Sequence, residues 1–245
     1  MLNLISPNWP APNWIKAYTT TRYGGFSPVP FDSLNLSLHV GDNPDCVIKN
    51  RQLLQNYLGL TNQLIWLKQV HGNTAISADS ALNHSPIGDA IYSKKSHTVC
   101  AVQTADCLPL LICSPINYCI AAIHAGWKGL NNGIIENTIS DLECSTKDLL
   151  VWLGPAIGPQ AFVVGEEVLQ AFLEKDHTVQ TAFHALGNKR WLANLYMLAR
   201  QRLHNLGIDK VYGGNYCTFT DPKCFFSYRR NQVTGRMLSL IWISL

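Results

Sequence analysis

Between Val99 and Ile123 the chain reads VCAVQTADCLPLLICSPINYCIAAI, three strand-length apolar runs in close succession: Val99–Gln103, Leu108–Cys113 and Cys119–Ile123. Runs that are apolar at nearly every position read as buried strands rather than as half-exposed ones. They demand a layered core with strands inside it. The first two are separated by Thr104-Ala105-Asp106-Cys107 ahead of Pro109, which sets a carboxylate beside a thiol where the core would otherwise continue.

The rest of the chain suits such a core. Apolar residues make up 47% of the 245 positions and charged residues only 14%, against about 25% in an average soluble protein. So little charge means that much of the surface is hidden in packed sheets, in a partner, or in both. Nineteen Lys and Arg oppose sixteen Asp and Glu, for a net charge of +3. With no dense basic stripe or tail, nucleic acid is excluded as a partner. The N-terminal MLNLISPNWPAPNW lacks the basic and apolar regions of a secretory signal. No apolar run reaches the length of a membrane span, so the expected location is the cytoplasm. The eight cysteines are scattered with no Cys-x-x-Cys pair, and in a reducing compartment they stay thiols. Cys100, Cys113 and Cys119 lie inside apolar runs and read as small core residues.

Local signals predict a mixed order of elements. Strands are expected at Ala17–Thr21, Leu64–Val70, Leu149–Leu153, Lys210–Tyr216, Phe225–Tyr228 and Leu238–Ile243, besides the three central runs. Helices are expected at Cys46–Leu58 (capped by Asp45, stopped by Gly59), Leu130–Asp141, Glu166–Lys175 and Trp191–Leu206, the last stopped by Gly207. Residues 73–97 read as irregular. Without a strict βαβ period, a repeat or a linker, the economical reading is one α/β domain over residues 1–245.

Three of the runs end alike. One delivers His71 before Gly72, a second breaks at Cys107 before Pro109, and a third delivers His124 before the Gly-rich turn Ala125-Gly126-Trp127-Lys128-Gly129. Strand ends that border loops are where open α/β sheets place ligands. Two imidazoles and a thiolate suit Zn²⁺, with a fourth position left for water or substrate. The spacing matches no local zinc motif, and any one of these histidines alone reads more plainly as a hydrogen-bonded structural residue. Asp106 either orients a ligand from behind or caps a turn. Lys128 either joins a helix N-terminus in seating an anion or is a solvated first-turn lysine. Arg22, Arg51, Arg229 and Arg230 border other polar loops.

The whole set of motifs resembles a known family. They are Arg22-x-Gly24-Gly25-x-Ser27, Ser33-Leu34-Asn35-Leu36, Val40-Gly41-Asp42, Asn50-Arg51, Gln69-Val70-His71-Gly72, Thr104-Ala105-Asp106-Cys107-Leu108-Pro109, His124-Ala125-Gly126-Trp127-Lys128-Gly129, Gly154-Pro155-Ala156-Ile157-Gly158-Pro159, and Phe225-Phe226-Ser227-Tyr228-Arg229-Arg230 with Thr234-Gly235-Arg236. In order, over nearly the whole chain, they resemble the multicopper polyphenol oxidase (laccase-domain) family. Its members are also described as zinc-dependent purine nucleoside phosphorylases with adenosine deaminase activity, and as peptidoglycan-editing factors. The resemblance implies an α/β/β/α sandwich with mixed sheets, a fold shared with cysteine hydrolases, and a metal held by His71, Cys107 and His124. It departs from the family at Val163, where a Glu often follows the aromatic residue.

Four functions follow. The first is a zinc purine nucleoside phosphorylase acting on adenosine, inosine or methylthioadenosine, with adenosine deaminase activity. Zn²⁺ would activate water for deamination. The candidate substrate and phosphate contacts are Arg22, Asn35, Arg51, Gln69, Lys128 and Arg229. The second is a cysteine hydrolase editing peptidoglycan precursors, with Cys107 as nucleophile, His124 as base and Asp106 as orienter. The third is a copper polyphenol oxidase. Two His and one Cys also describe a blue-copper site, but eight histidines without a His-x-His pair are few for several coppers. A non-enzymatic binding module ranks last. The partner is a small molecule, and the protein is expected to be a monomer or small homo-oligomer.

Overall fold

The computed structural model describes residues 2–62, 64–80 and 85–244. Its elements, in chain order, are β1 (Leu4–Ile5), β2 (Ile15–Thr20), α1 (Pro44–Leu58), β3 (Ala75–Ser77), β4 (Ala90–Ser93), β5 (Val99–Thr104), β6 (Leu108–Ser114) and β7 (Cys119–Ala125). There follow α2 (Trp127–Asn131), α3 (Ile134–Leu142), β8 (Leu150–Leu153), β9 (Val163–Gly165), α4 (Glu166–Leu173), β10 (Phe183–Gly187), β11 (Arg190–Ala193), α5 (Leu195–Asn205), β12 (Val211–Gly213) and β13 (Met237–Ile243).

Two sheets stack face to face between helices. The mixed six-stranded sheet runs β12-β8-β6-β7-β4-β3, and the four-stranded sheet runs β1-β2-β13-β5. Alternation along each strand sends side chains to two different cores. Leu111 and Cys113 of β6 and Ile120 and Ala122 of β7 meet Cys100, Val102 and Ile241 of the smaller sheet. Their neighbours Leu108, Leu110, Ile112, Ala121 and Ile123 pack against α3, α4 and α5. On the far side, Val99, Ala101, Leu238 and Leu240 pack against Leu54 of α1. Each central strand is thus buried on both faces, and the order of layers is α/β/β/α. A separate three-stranded sheet, β10-β11-β9, lies outside these layers in the pairing.

Several elements differ from expectation. Leu64–Val70 forms no strand beyond an isolated bridge from Lys68 to Ile87. Instead the side-chain amide of Gln69 donates to the carbonyl of Gln103 and accepts its N–H, so a side chain does the pairing that a strand backbone would do. Phe225–Tyr228 is also irregular. The Arg230 guanidinium donates to the carbonyls of Thr218, Phe219 and Phe225 and takes the place of a partner strand. Residues 73–97 contain β3 and β4, and residues 81–84 of that stretch lie outside the described residues. The helix expected at Leu130–Asp141 starts at Trp127 and breaks at Gly133, whose φ of 87° no helix continues through. Arg190–Ala193 is a strand, and α5 begins after it, where the side chain of Asn194 accepts the Met197 N–H. The Lys210–Tyr216 strand shrinks to β12 because Gly213 and Gly214 both take positive φ.

Candidate active site

Pairing in the larger sheet assembles the site. In the antiparallel β6–β7 ladder Pro109 faces His124 and Leu108 faces Ala125, which puts Cys107 just beyond the rung next to His124. On the other side β4 pairs with β7, and the His124 N–H donates to the Asp89 carbonyl. His71 arrives from the irregular segment. The donor atoms of His71, Cys107 and His124 all lie within 4.8 Å of one another. The two imidazole rings meet edge to face, with centroids 4.8 Å apart. His124 is buried and His71 exposed, so the trio opens to one side.

Asp89 holds this arrangement together. Its carboxylate is fully buried. It lies 2.8 Å from His124 Nδ1 and accepts the backbone N–H groups of Val70, His71 and Gly72. Burial by itself would raise the Asp89 pKa. The hydrogen bond and charge of His124, helped by the amides, outweigh it and hold the carboxyl below the ordinary range. His71 has φ of 60° and Asp106 φ of 89°, conformations that cost a non-glycine residue roughly 1–3 kcal/mol. The first is pinned by Asp89. The second is pinned by its own carboxylate, which accepts from Thr218 Oγ1, Ser227 Oγ and the Arg229 N–H.

The donor set fits a metal ion. Burial pushes the Cys107 thiol up, but the charge and hydrogen bonds of His124 and His71 prevail and bring it down to about 6. Burial pushes His124 down, but Cys107 and Asp89 raise it to about 9. With Nδ1 engaged by Asp89, His124 presents Nε2, the usual arrangement for a metal-binding imidazole with a carboxylate behind it. Gly126 permits the close approach, since a Cβ there would stand 2.8 Å from His71 Cδ2 and 3.1 Å from Cys107 Sγ.

Two cavities meet at the trio. The first, of about 350 Å³, is walled by Trp127, Ile157, Phe162 and Leu195, with Lys128 and Arg229 also lining it. The second, of about 400 Å³, is lined by Ser37, His39, Gln69, Thr104 and Arg236, among others. His71, Ala105, Cys107 and Tyr228 line both.

The residues singled out in the sequence fall in different places. Asp106 lines the first cavity, but its carboxylate is spent on Thr218, Ser227 and Arg229, so the carboxylate that orients His124 is Asp89 and not Asp106. Lys128 is exposed on the short α2, with Nζ 5.7 Å from the Trp127 ring. Arg229 donates to the Val163 carbonyl and lies over Phe162, which puts the departure at Val163 at the rim of the first cavity. Gln69 lines the second cavity with its amide already paired to Gln103. Arg22, Asn35 and Arg51 line neither cavity. Arg22 is paired with Asp32. Arg51 sits 3.4 Å over the Trp66 ring and donates to the Leu36 carbonyl. Asn35 Oδ1 accepts the Arg236 N–H. The residues that sequence reasoning passed over are Asp89, Arg236, Phe162 and Tyr228. For Arg236 and Tyr228 the signal is present, because both stand in the matching motifs.

An imidazole from an irregular loop, a thiolate just before β6 and an imidazole near the end of β7, on a four-layer α/β/β/α frame, form one compact cluster of candidate metal donors among the described residues. The chain belongs to the multi-copper polyphenol oxidoreductase laccase family, whose sequence model matches residues 16–244. It is 48% identical over 243 residues to the purine nucleoside phosphorylase YfiH of Escherichia coli K12, covering 99% of this chain and 100% of that protein. The purine nucleoside phosphorylase of Haemophilus influenzae is 45% identical, with 98% and 99% covered. Among solved structures, protein NMB0706 of Neisseria meningitidis superposes with a TM-score of 0.96 at 43% identity, over 99% of this chain and 100% of that one. YlmD of Geobacillus stearothermophilus gives 0.86 at 27% identity, over 96% and 94%. No helix among the described residues is long and apolar enough to cross a membrane.

Proposed function

We propose that this protein is a zinc-dependent purine nucleoside phosphorylase of the cytoplasm, acting as one catalytic unit and converting a purine nucleoside and orthophosphate into free base and ribose 1-phosphate. The observation that carries this reading is an apolar cavity with aromatic walls, Trp127 and Phe162, that ends on His71 and Cys107. Flat apolar walls suit a purine ring, and relatives of nearly half identical sequence bear that activity in their names.

His71, Cys107 and His124 would hold Zn²⁺, which takes nitrogen and sulfur donors readily. When bound, the ion supplies Lewis-acid polarisation of a substrate heteroatom. Asp89 keeps the His124 ring in position and favours its Nδ1–H tautomer. Phe162 and Trp127 enclose the base and exclude water around it. The same cavity admits adenosine with water as the second reactant, so adenosine deamination is part of the proposal. Copper is the less suitable occupant. A multicopper oxidase needs several donor clusters, and the described residues contain one.

Protein purified without added metal tests this reading by elemental analysis, followed by an assay with adenosine and orthophosphate. The expected result is about one equivalent of zinc, with phosphate-dependent release of adenine and, without phosphate, release of inosine. Active metal-free protein, or copper with oxygen uptake, overturns it.

One observation favours a second reading. Cys107, His124 and Asp89 stand in the order nucleophile, base and orienter, as a cysteine hydrolase acting on a cell-wall precursor would require. The substitution Cys107→Ser separates the two. A zinc enzyme loses metal together with turnover, whereas a hydrolase loses turnover and has no metal to lose.

A further inference from the structure

Phosphorolysis needs its second reactant to approach the sugar carbon away from the departing base. The two cavities share His71, Ala105, Cys107 and Tyr228 and otherwise draw on different residues. The first is walled mainly by Trp127, Ile157, Phe162 and Leu195, with Lys128 and Arg229 on its edge, while the second sets Ser37, His39, Gln69, Thr104 and Arg236 beside the apolar Val40 and Leu67. We propose that the second cavity is the orthophosphate seat and that Arg236 is its principal anion-binding residue. This rests on the phosphorylase reading and deepens it.

Arg236 is built into the wall rather than laid on the surface. Its N–H donates to the buried Asn35 side chain, and Nη1 donates to the carbonyls of Thr234 and Gly235. Asn35 is itself locked by bonds to Ser37 and Asp42. Among the described residues Arg236 has no carboxylate partner, and its Nε and Nη2 have no hydrogen-bond acceptor. A guanidinium with two free donors of this kind is a ready partner for a phosphate. A second observation points to the same place. Thr104 is 1% exposed, lines this cavity, and its Oγ1 has no hydrogen-bond partner. A buried hydroxyl left unpaired is rare, and a phosphate oxygen would satisfy it.

The competing cations are less suited. Arg229 lines the base cavity and not the second one; there it donates to the Val163 carbonyl and lies over Phe162, much as Arg236 lies over Tyr228. Lys128 is exposed on α2, and Arg51 lies outside both cavities. In the resulting step a phosphate oxygen forms a bond to C1′ while the C1′–N9 bond breaks. The electron pair of that bond stays on the purine, and the proton carried by hydrogen phosphate balances the one the free base takes up.

The test is steady-state kinetics with nucleoside and orthophosphate varied separately, on zinc-loaded wild type, Arg236→Met, Arg236→Lys and Thr104→Val. Calorimetric titration with orthophosphate alone provides a binding readout. Arg236→Met is expected to raise KM for phosphate by about tenfold or more and KM for the nucleoside by less than about threefold, with Arg236→Lys in between. Thr104→Val is expected to raise KM for phosphate by about threefold or more. If Arg236→Met does not fold, Thr104→Val and Arg236→Lys decide. Unchanged phosphate KM in the folded variants, with wild type still phosphorolytic, overturns this assignment and leaves the phosphorylase reading standing. Wild type without phosphate-dependent cleavage overturns both.

Discussion

Nδ1 of His124 lies 2.8 Å from Oδ1 of Asp89, and the two side chains are almost wholly buried. The same carboxylate accepts the N–H of His71 at 2.9 Å and of Gly72 at 2.7 Å. One side chain therefore fixes two of the three candidate metal donors, one through its ring and one through its backbone. Asp89→Asn keeps the size and removes the charge. Metal affinity is expected to fall about 10–100-fold, the usual effect of losing a carboxylate behind a metal-bound imidazole. Competition with a chromogenic chelator measures it. An affinity equal to wild type would mean that Asp89 only supports the loop.

The pH dependence of metal uptake follows from the two shifted groups. Metal binds the thiolate and the neutral imidazole. Cys107 is brought down to about 6 and His124 raised to about 9, each by the other's charge after burial has opposed it. Below the lower value both carry protons that the metal must displace. Between the two values Cys107 is already ionised and only His124 must release one. Above the higher value neither does. Near neutral pH the expected release from this pair is about one proton per metal. Calorimetry in buffers of different ionisation enthalpy reads it, and a release of two would show that Cys107 stays a thiol.

Much of this arrangement was legible from residues 99–125. Their uninterrupted apolar character marks strands buried on both faces, and the sandwich provides two cores for them. The polar residues that end those runs stand out for the same reason. What stayed hidden depends on pairing in space. Asp89 sits in a stretch without alternation, and only the β4–β7 register brings it to His124. Gln69 imitates a strand edge with a side chain, and Arg230 braces Phe225–Tyr228, so local pattern misreads both segments as strands. Beside Cys107, Asp106 reads in the sequence either as an orienter or as a turn cap. Its positive φ accompanies a carboxylate turned towards Thr218 and Ser227 instead.

Two glycines after β7, Gly126 just before α2 and Gly129 inside it, should respond differently to alanine. At Gly126 the backbone, with φ of −65° and ψ of 158°, suits alanine. The new Cβ would stand 2.8 Å from His71 Cδ2, and an exposed ring can move. Gly126→Ala is expected to lower metal affinity about tenfold or more while changing stability by less than about 1 kcal/mol. At Gly129 the Cβ would stand 2.6 Å from the Gly72 carbonyl oxygen, which is backbone. Gly129→Ala should therefore destabilise the fold by about 1–3 kcal/mol, as overpacking does. Paired chelator titrations and thermal unfolding check both, and equal effects of the two substitutions would contradict the geometry.

Tyr196 ties the helical layer to the floor of the first cavity. From α5 its buried hydroxyl accepts the Ala156 N–H at 2.9 Å and faces the carbonyls of Tyr216 at 2.9 Å and Gly154 at 3.1 Å. Burial raises the Tyr196 pKa, so the group remains a neutral donor. The next residue along, Ile157, lines the cavity, and its N–H donates to the Asp106 carbonyl. Tyr196→Phe leaves the Ala156 N–H buried without its acceptor, at a cost of about 1–3 kcal/mol. The expected signature is a lower urea midpoint with an unchanged slope. Because the loosened segment borders the cavity rather than the trio, KM for the nucleoside should rise while zinc content holds. Loss of zinc with KM unchanged would instead mean that the hydroxyl supports the metal donors and not the base cavity.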